Sequence, residues 1–85
     1  MSHPVRYSIM ALLAAADRAE FSFVRDHVEV SDSVLSKQMT ALQEAGYVKV
    51  HKGYFQNRPR TWLSLTRQGR QTFARHLAAL REIAS

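Results

Sequence analysis

Apolar positions along this 85-residue chain change their period several times, and each change marks a new element. Val5, Ile9, Leu12, Leu13 and Ala16 recur at helical spacing, which predicts a first helix opened by His3-Pro4 and running to about Ala16. Tyr7, Met10, Ala11 and Ala14 leave its other side only weakly polar, so two neighbours are expected. Asp17-Arg18-Ala19-Glu20 reads as a polar connection, and Phe21-Ser22 as a very short strand. Ser22 then caps a short second helix carrying Phe23, Val24, His27 and Val28. His27 is expected to be a partly buried packing residue. Glu29-Val30-Ser31 forms a tight turn that lacks the glycine often found between two such helices.

The stretch from Ser31 to Tyr47 has marked ends and two chemically different sides. Ser31 suits an N-cap, Val30 and Leu35 suit a hydrophobic staple, and Gly46 stands where a left-handed C′ residue is wanted. Tyr47 is placed to pack back on Leu42. Leu35, Met39 and Leu42, widened by Val34, Ala41 and Ala45, face the core, while Ser33, Ser36, Lys37 and Thr40 form a narrow hydrogen-bonding stripe opposite. Such a stripe is either an ordinary solvated face or one suited to a DNA groove. Small hydroxyls let a helix approach base edges, and one lysine adds a guanine or a phosphate contact.

From Tyr47 to Lys52 the pattern alternates, with Val48 and Val50 on one face and Lys49 and His51 on the other. Gly53 to Pro59 reads as a loop, and Arg60 to Leu65 as the returning strand of a β-hairpin, with Pro59 at a position that tolerates a missing amide. Its tip and flanks carry Lys52, Gln56, Asn57, Arg58 and Arg60, which can reach phosphates or a minor groove. Thr66 caps a last helix, Arg67 to Ala84, with Phe73, Leu77, Leu80 and Ala84 on one stripe and Ile83 beside it. Gly69 in its first turn permits close packing against the hairpin. Beyond Phe73 this helix has little of its own domain left to cover.

Length predicts a single domain spanning 1–85, small enough to bury only about 60–65% of the unfolded surface. The net charge is +5 and is unevenly placed. Residues 1–30 hold three basic and four acidic groups, whereas residues 31–60 hold five and two, so the positive charge begins at the candidate groove-reading helix. Cysteine is absent, which removes disulfides, thiolate metal sites and thiol catalysis, and fits a reducing compartment. Arg6, the apolar run Ile9 to Ala16 and Ala14-Ala15-Ala16 mimic an export signal. The run is short and its removal would cost a helix that the small core needs, so it is read as part of the fold. It is also far too short to span a bilayer. No base stands beside a nucleophile, no glycine-rich phosphate loop occurs, and His3, His27, His51 and His76 are too widely spaced for a zinc site. Neither an enzyme nor a cofactor nor a metal centre is expected.

The order helix, short strand, helix, helix, hairpin, helix resembles the α+β winged helix-turn-helix fold. More specifically, LSKQMTALQEAGYVKVHKG followed by RPRTWLSLTRQGR resembles the MarR/ArsR-like group of small bacterial and archaeal transcriptional regulators, over nearly the whole chain. The resemblance implies dimeric, sequence-specific binding of double-stranded DNA in the cytoplasm. It places groove-facing positions at Asp32, Ser33, Ser36, Lys37 and Thr40 and wing positions at Arg58 and Arg60, beside the Lys52 read above. The cysteine-rich site of metal-sensing relatives is missing, and the chain is shorter than MarR proteins with extra dimerisation helices, so no effector is assigned. A winged-helix protein-interaction module, without direct DNA reading, is the alternative. RNA reading has only Tyr54 and Phe55 to offer as hairpin stacking residues. The excess apolar surface predicts a homodimer joined through residues 66–85 with the first helix alongside, using Tyr7, Met10, Leu77, Leu80, Ile83 and Ala84.

Overall fold

The computed structural model describes residues 3–84. In order they form α1 (His3–Ala15), β1 (Ala19–Glu20), α2 (Phe21–Val28), α3 (Asp32–Glu44), β2 (Val48–Phe55), β3 (Arg58–Leu65) and α4 (Arg67–Ala84). The strands make one antiparallel sheet in the order β1-β3-β2, so the last strand lies between the other two. This is the winged helix-turn-helix arrangement that the order of elements resembles. One layer of helices covers one face of the sheet: Ile9 and Leu13 of α1, Val24 of α2, and Leu35, Met39 and Leu42 of α3 are buried against Val48, Leu63 and Leu65. Each side chain of this size contributes about 1.5–3 kcal/mol when fully buried, which is why the apolar periods decide the fold.

The ends of α3 are built as the sequence predicts. The Ser31 hydroxyl accepts a hydrogen bond from the Val34 amide at 3.2 Å. At the other end Gly46 adopts φ 84°, and the amides of Gly46 and Tyr47 donate to the carbonyls of Gln43 and Leu42 at 3.0 and 2.9 Å, the double bond of a Schellman stop. Arg6 of α1 donates from Nε to Gln38 Oε1 at 2.8 Å and ties the side of α3 to the first helix.

The start of α4 locks onto this stop. Thr66 Oγ1 donates to the Gly46 carbonyl at 2.6 Å and accepts from the Gly69 amide at 2.9 Å, while the Thr66 amide donates to the Tyr47 carbonyl at 2.9 Å. A Cβ on Gly69 would lie 2.1 Å from the Tyr47 carbonyl oxygen, so only glycine fits where α4 meets the chain leaving α3. The EAGY and LTRQG segments therefore form one physical unit.

Four expectations are corrected. The short strand is Ala19–Glu20 rather than Phe21-Ser22, and Glu20, not Ser22, precedes the helix in an extended conformation with no side-chain cap. Ala19 is drawn into the core and Phe21 packs against it, which shifts the boundary that the polar residues suggest. His27 is exposed and stacks on Phe23 one turn earlier, with ring centroids 6.0 Å apart. The hairpin is longer than expected: Gly53 and Pro59 lie inside strands, and only Gln56 and Asn57 form the turn. Both have positive φ, 52° and 64°, the type I′ geometry that matches strand twist. The turn between α2 and α3 likewise places a non-glycine, Glu29, at φ 64°.

Candidate nucleic-acid interface

Helix α3 presents Ser33, Ser36, Lys37 and Thr40 to solvent, as its period requires. Thr40 Oγ1 donates to the Ser36 carbonyl one turn back at 3.0 Å, which leaves the lone pairs of its oxygen free to accept from a base amino group. Ser33 shares a 3.2 Å hydroxyl contact with the capping Ser31.

The hairpin register divides the wing into two chemically different faces. Val48 pairs with Leu65, Val50 with Leu63 and Lys52 with Thr61, so the core-facing side of the hairpin continues outward from apolar to polar residues. Ser36, Thr40 and Gln43 from α3 and Lys52 and Thr61 from the wing line one open cleft of about 770 Å³, with Met39 and Val50 among the apolar residues of its floor. Three of the residues expected to contact DNA are thus brought together across 16 positions of sequence, from Ser36 to Lys52. Gln43 and Thr61 were missed by sequence reading. Gln43 follows Thr40 by three on the same helical stripe and was legible there, whereas Thr61 could be placed only by the register opposite Lys52.

The other wing face carries Lys49, His51, Phe55, Arg58, Arg60, Trp62 and Ser64 by the same alternation. Arg58 is exposed beside the turn. Arg60 is not a free cation: its Nη1 donates to Glu20 Oε2 at 3.0 Å, and its Nε is buried without a hydrogen-bond partner. Asp32 is likewise committed, accepting from Arg25 Nη1 at 2.8 Å while Arg25 Nε donates to Asp26 at 2.9 Å. Hydrogen bonds to Asp26 and then Asp32 raise the Arg25 pKa, and the bond from Arg25 lowers that of Asp26. Asp32 therefore braces α2 against the first turn of α3, where a carboxylate also complements the helix dipole. A carboxylate facing phosphates would be repelled, which is a further reason to separate it from the hydroxyl stripe.

The residues expected between subunits also divide. Met10 is only 8% exposed and belongs to this chain's own core, so it is withdrawn from any intersubunit surface. Tyr7 packs on α4 of the same chain, with ring centroids 5.4 Å from Phe73 and 5.0 Å from His76. The second apolar side of α1 is covered from within, because α4 folds back along it. Farther along α4, Leu77 is half-buried, Leu80 is 42% exposed, Ile83 is 81% exposed and Ala84 is exposed. Among the described residues, no helix is long and apolar enough to cross a membrane.

Comparison with known proteins supplies an independent view of this geometry. A family model described as a winged helix DNA-binding domain matches residues 5–84. An uncharacterized protein of Methanocaldococcus jannaschii is 26% identical over 80 residues, covering 94% of this chain and 87% of that protein. Among solved structures, a transcriptional regulator homologue from Pyrococcus horikoshii OT3 is similar with a TM-score of 0.89 and 29% identity, over 96% of this chain and 81% of that one. PadR of Bacillus subtilis, solved in complex with operator DNA, has a TM-score of 0.76 at 14% identity, over 88% of this chain and 47% of PadR. At that identity the likeness is one of fold.

Proposed function

Because the chain belongs to the winged helix DNA-binding domain family, a family of DNA-binding rather than catalytic domains, we propose that it is a transcriptional regulator that reads double-stranded DNA as a homodimer. The observation that carries this reading is the open cleft between α3 and the wing, where polar side chains of both elements meet over an apolar floor. A helix in the major groove and a hairpin reaching the neighbouring minor groove must straddle one sugar-phosphate strand. The cleft offers that strand hydroxyls from Ser36, Thr40 and Thr61, the Gln43 amide and the Lys52 ammonium. Ser33, Ser36, Lys37 and Thr40 are assigned to base edges and adjoining phosphates, and Lys52 and Arg58 to the backbone. Asp32 and Arg60 are assigned to intramolecular bracing. The fold shared with an operator-bound regulator supports the DNA-binding reading as a whole.

Residues 1–85 are assigned to one DNA-binding domain, with α4 as its dimerisation helix. The outer half of α4, with Leu80, Ile83 and Ala84 and the half-buried Leu77, is the surface assigned to the second copy. Reading successive major grooves of a palindrome requires the two-fold pairing to set two copies of α3 about 34 Å apart.

Selection of duplexes by the purified protein, followed by titration across salt concentrations, tests the reading. If a dimer neutralises about eight phosphates, the log–log slope of affinity against salt is near −7. Ser36→Ala or Lys37→Ala is expected to change the preferred sequence, at a cost of about 1–3 kcal/mol on the selected site. Arg58→Ala is expected to weaken all sequences alike and flatten the slope by about one. A folded protein that binds no duplex at about 50 mM salt would refute DNA binding and favour the protein-interaction reading. Sedimentation equilibrium of Leu80→Glu/Ile83→Glu tests the dimer without disturbing the core, since both side chains are exposed in the single chain. Undiminished association of that variant would move the interface elsewhere.

A further inference from the structure

The wing is joined to the helix-turn-helix on its outer side by very little. Strand β1 contributes only two pairs to the sheet, Ala19 with Leu63 and Glu20 with Trp62. Glu20 is at once the last residue of that strand and the residue immediately before α2. Its carboxylate accepts from Arg60, 40 positions later in the wing, at 3.0 Å, and from the Ser22 hydroxyl at 3.5 Å. The Arg60 side chain is about one-third exposed and the Glu20 side chain slightly less, so solvent weakens this pair only in part.

The surroundings of Arg60 point the same way. By register it shares a face with Phe55 and Trp62, opposite the face on which Lys52 and Thr61 border the cleft. Its guanidinium lies 5.9 Å from the Phe55 ring centre, and Arg18 sits 4.3 Å over the ring of Trp62. Swinging Arg60 out to a phosphate would strip the half-buried Glu20 carboxylate of its cation and break the contact with Phe55.

We propose that Glu20 and Arg60 form a positioning pair that fixes the angle of the wing relative to the helix-turn-helix, so that Arg60 acts on DNA binding through the wing and not by touching DNA. This assignment rests on the DNA reading above and names two residues whose role in it is mechanical. It makes a prediction opposite in sign to simple electrostatics. Removing a carboxylate from a DNA-binding surface strengthens phosphate attraction in general; here Glu20→Gln weakens binding, because the wing loses its setting.

The experiment uses the full chain with its selected duplex and a random-sequence duplex, and compares Glu20→Gln, Arg60→Gln and the exchanged variant Glu20→Arg/Arg60→Glu. Each single variant is expected to bind the selected duplex about fivefold more weakly, the scale of a partly exposed pair, with an unchanged salt slope. The exchanged variant recovers most of the loss. Trp62, the chain's single tryptophan, pairs with Glu20 across the sheet, so its emission shifts in both single variants without DNA. Thermal unfolding confirms that all three variants are folded. Tighter binding by Glu20→Gln with a slope steeper by about one would overturn the proposal and make Arg60 a phosphate ligand held in check. A slope flattened by about one in Arg60→Gln, or no recovery on exchange, would overturn it as well. Failure of the intact chain to bind either duplex defeats the DNA reading itself, an outcome separate from any of these.

Discussion

Helices α3 and α4 start from similar instructions and reach different ends. Each is opened by a hydroxyl cap, from Ser31 and Thr66, and each carries an apolar stripe at helical spacing. Helix α3 buries Leu35, Met39 and Leu42 inside the chain and leaves its polar face open, while Val34 and Ala45, expected to widen the core-facing stripe, stay exposed at its edges. Helix α4 is anchored at its first turn by Gly69 and along α1 by Phe73, and then runs past the core with Leu80 and Ile83 uncovered. What a helix leaves exposed indicates what it serves. A rigidly seated helix with a polar face suits a groove, and an overhanging helix with an apolar face suits a second copy.

The contrast can be broken most sharply by truncation. Leu35→Ala is expected to destabilise the chain by about 3 kcal/mol, and Ile83→Ala by less than about 0.5 kcal/mol, in urea unfolding at concentrations too low for association. Comparable losses would mean that the outer half of α4 is packed within the chain after all. The anchor of α4 is the next target. Gly69→Ala forces a methyl group against the Tyr47 carbonyl, at a cost of about 2 kcal/mol and with increased proteolytic cleavage at the start of α4. An unperturbed variant would contradict the close approach.

The seating of α3 can be improved rather than damaged. Glu29 occupies a left-handed conformation in the turn before α3, and Glu29→Gly is expected to raise stability by about 1 kcal/mol in the same unfolding assay. A loss of stability would show that the Glu29 side chain contributes more than its backbone costs. The smallest effect is electrostatic. Arg25 holds Asp26 below the ordinary carboxylate range, so this pairing stabilises the fold above the unfolded-state pKa of Asp26 and is lost as pH falls through the lower folded value. Comparing acid unfolding of the intact chain with Asp26→Asn reads this out: the variant lacks that segment of pH dependence. Both side chains reach solvent, so the difference is expected to be slight.

Most of the architecture was legible in the sequence because it rests on local signals. The helical periods, the Ser31 and Thr66 caps, the Gly46 stop and the packing role of Gly69 depend on neighbours three to five residues away or on one close backbone approach. The hydroxyl stripe of α3 follows from the same 3.6-residue period. The hairpin turn was misplaced because Gln56-Asn57 lacks glycine, while Gly53 and Pro59 advertise a loop that the strands override. Register then had to come from the tertiary structure. Period-two alternation fixes which residues share a face only once pairing is known, and it is the pairing that puts Lys52 and Thr61 on the cleft and Arg60 behind it.

Charges were the least legible of all. Asp32 is a site residue by family resemblance and Arg60 by resemblance and by its place on the hairpin, yet Arg25 and Glu20 claim them, one from seven positions away and the other from forty. A long side chain takes whichever partner the fold brings near, and the free energies involved are too small to leave a periodic trace. The sequence by itself determined the helices and the hairpin, the Ser31 and Thr66 caps and the hydroxyl stripe of α3, since these follow from backbone geometry and apolar burial. Only the tertiary structure decided which cations are free for a phosphate, that Met10 and Tyr7 serve the chain's own packing, and that the end of α4 is left uncovered. Those outcomes depend on the spatial competition among residues distant in the chain.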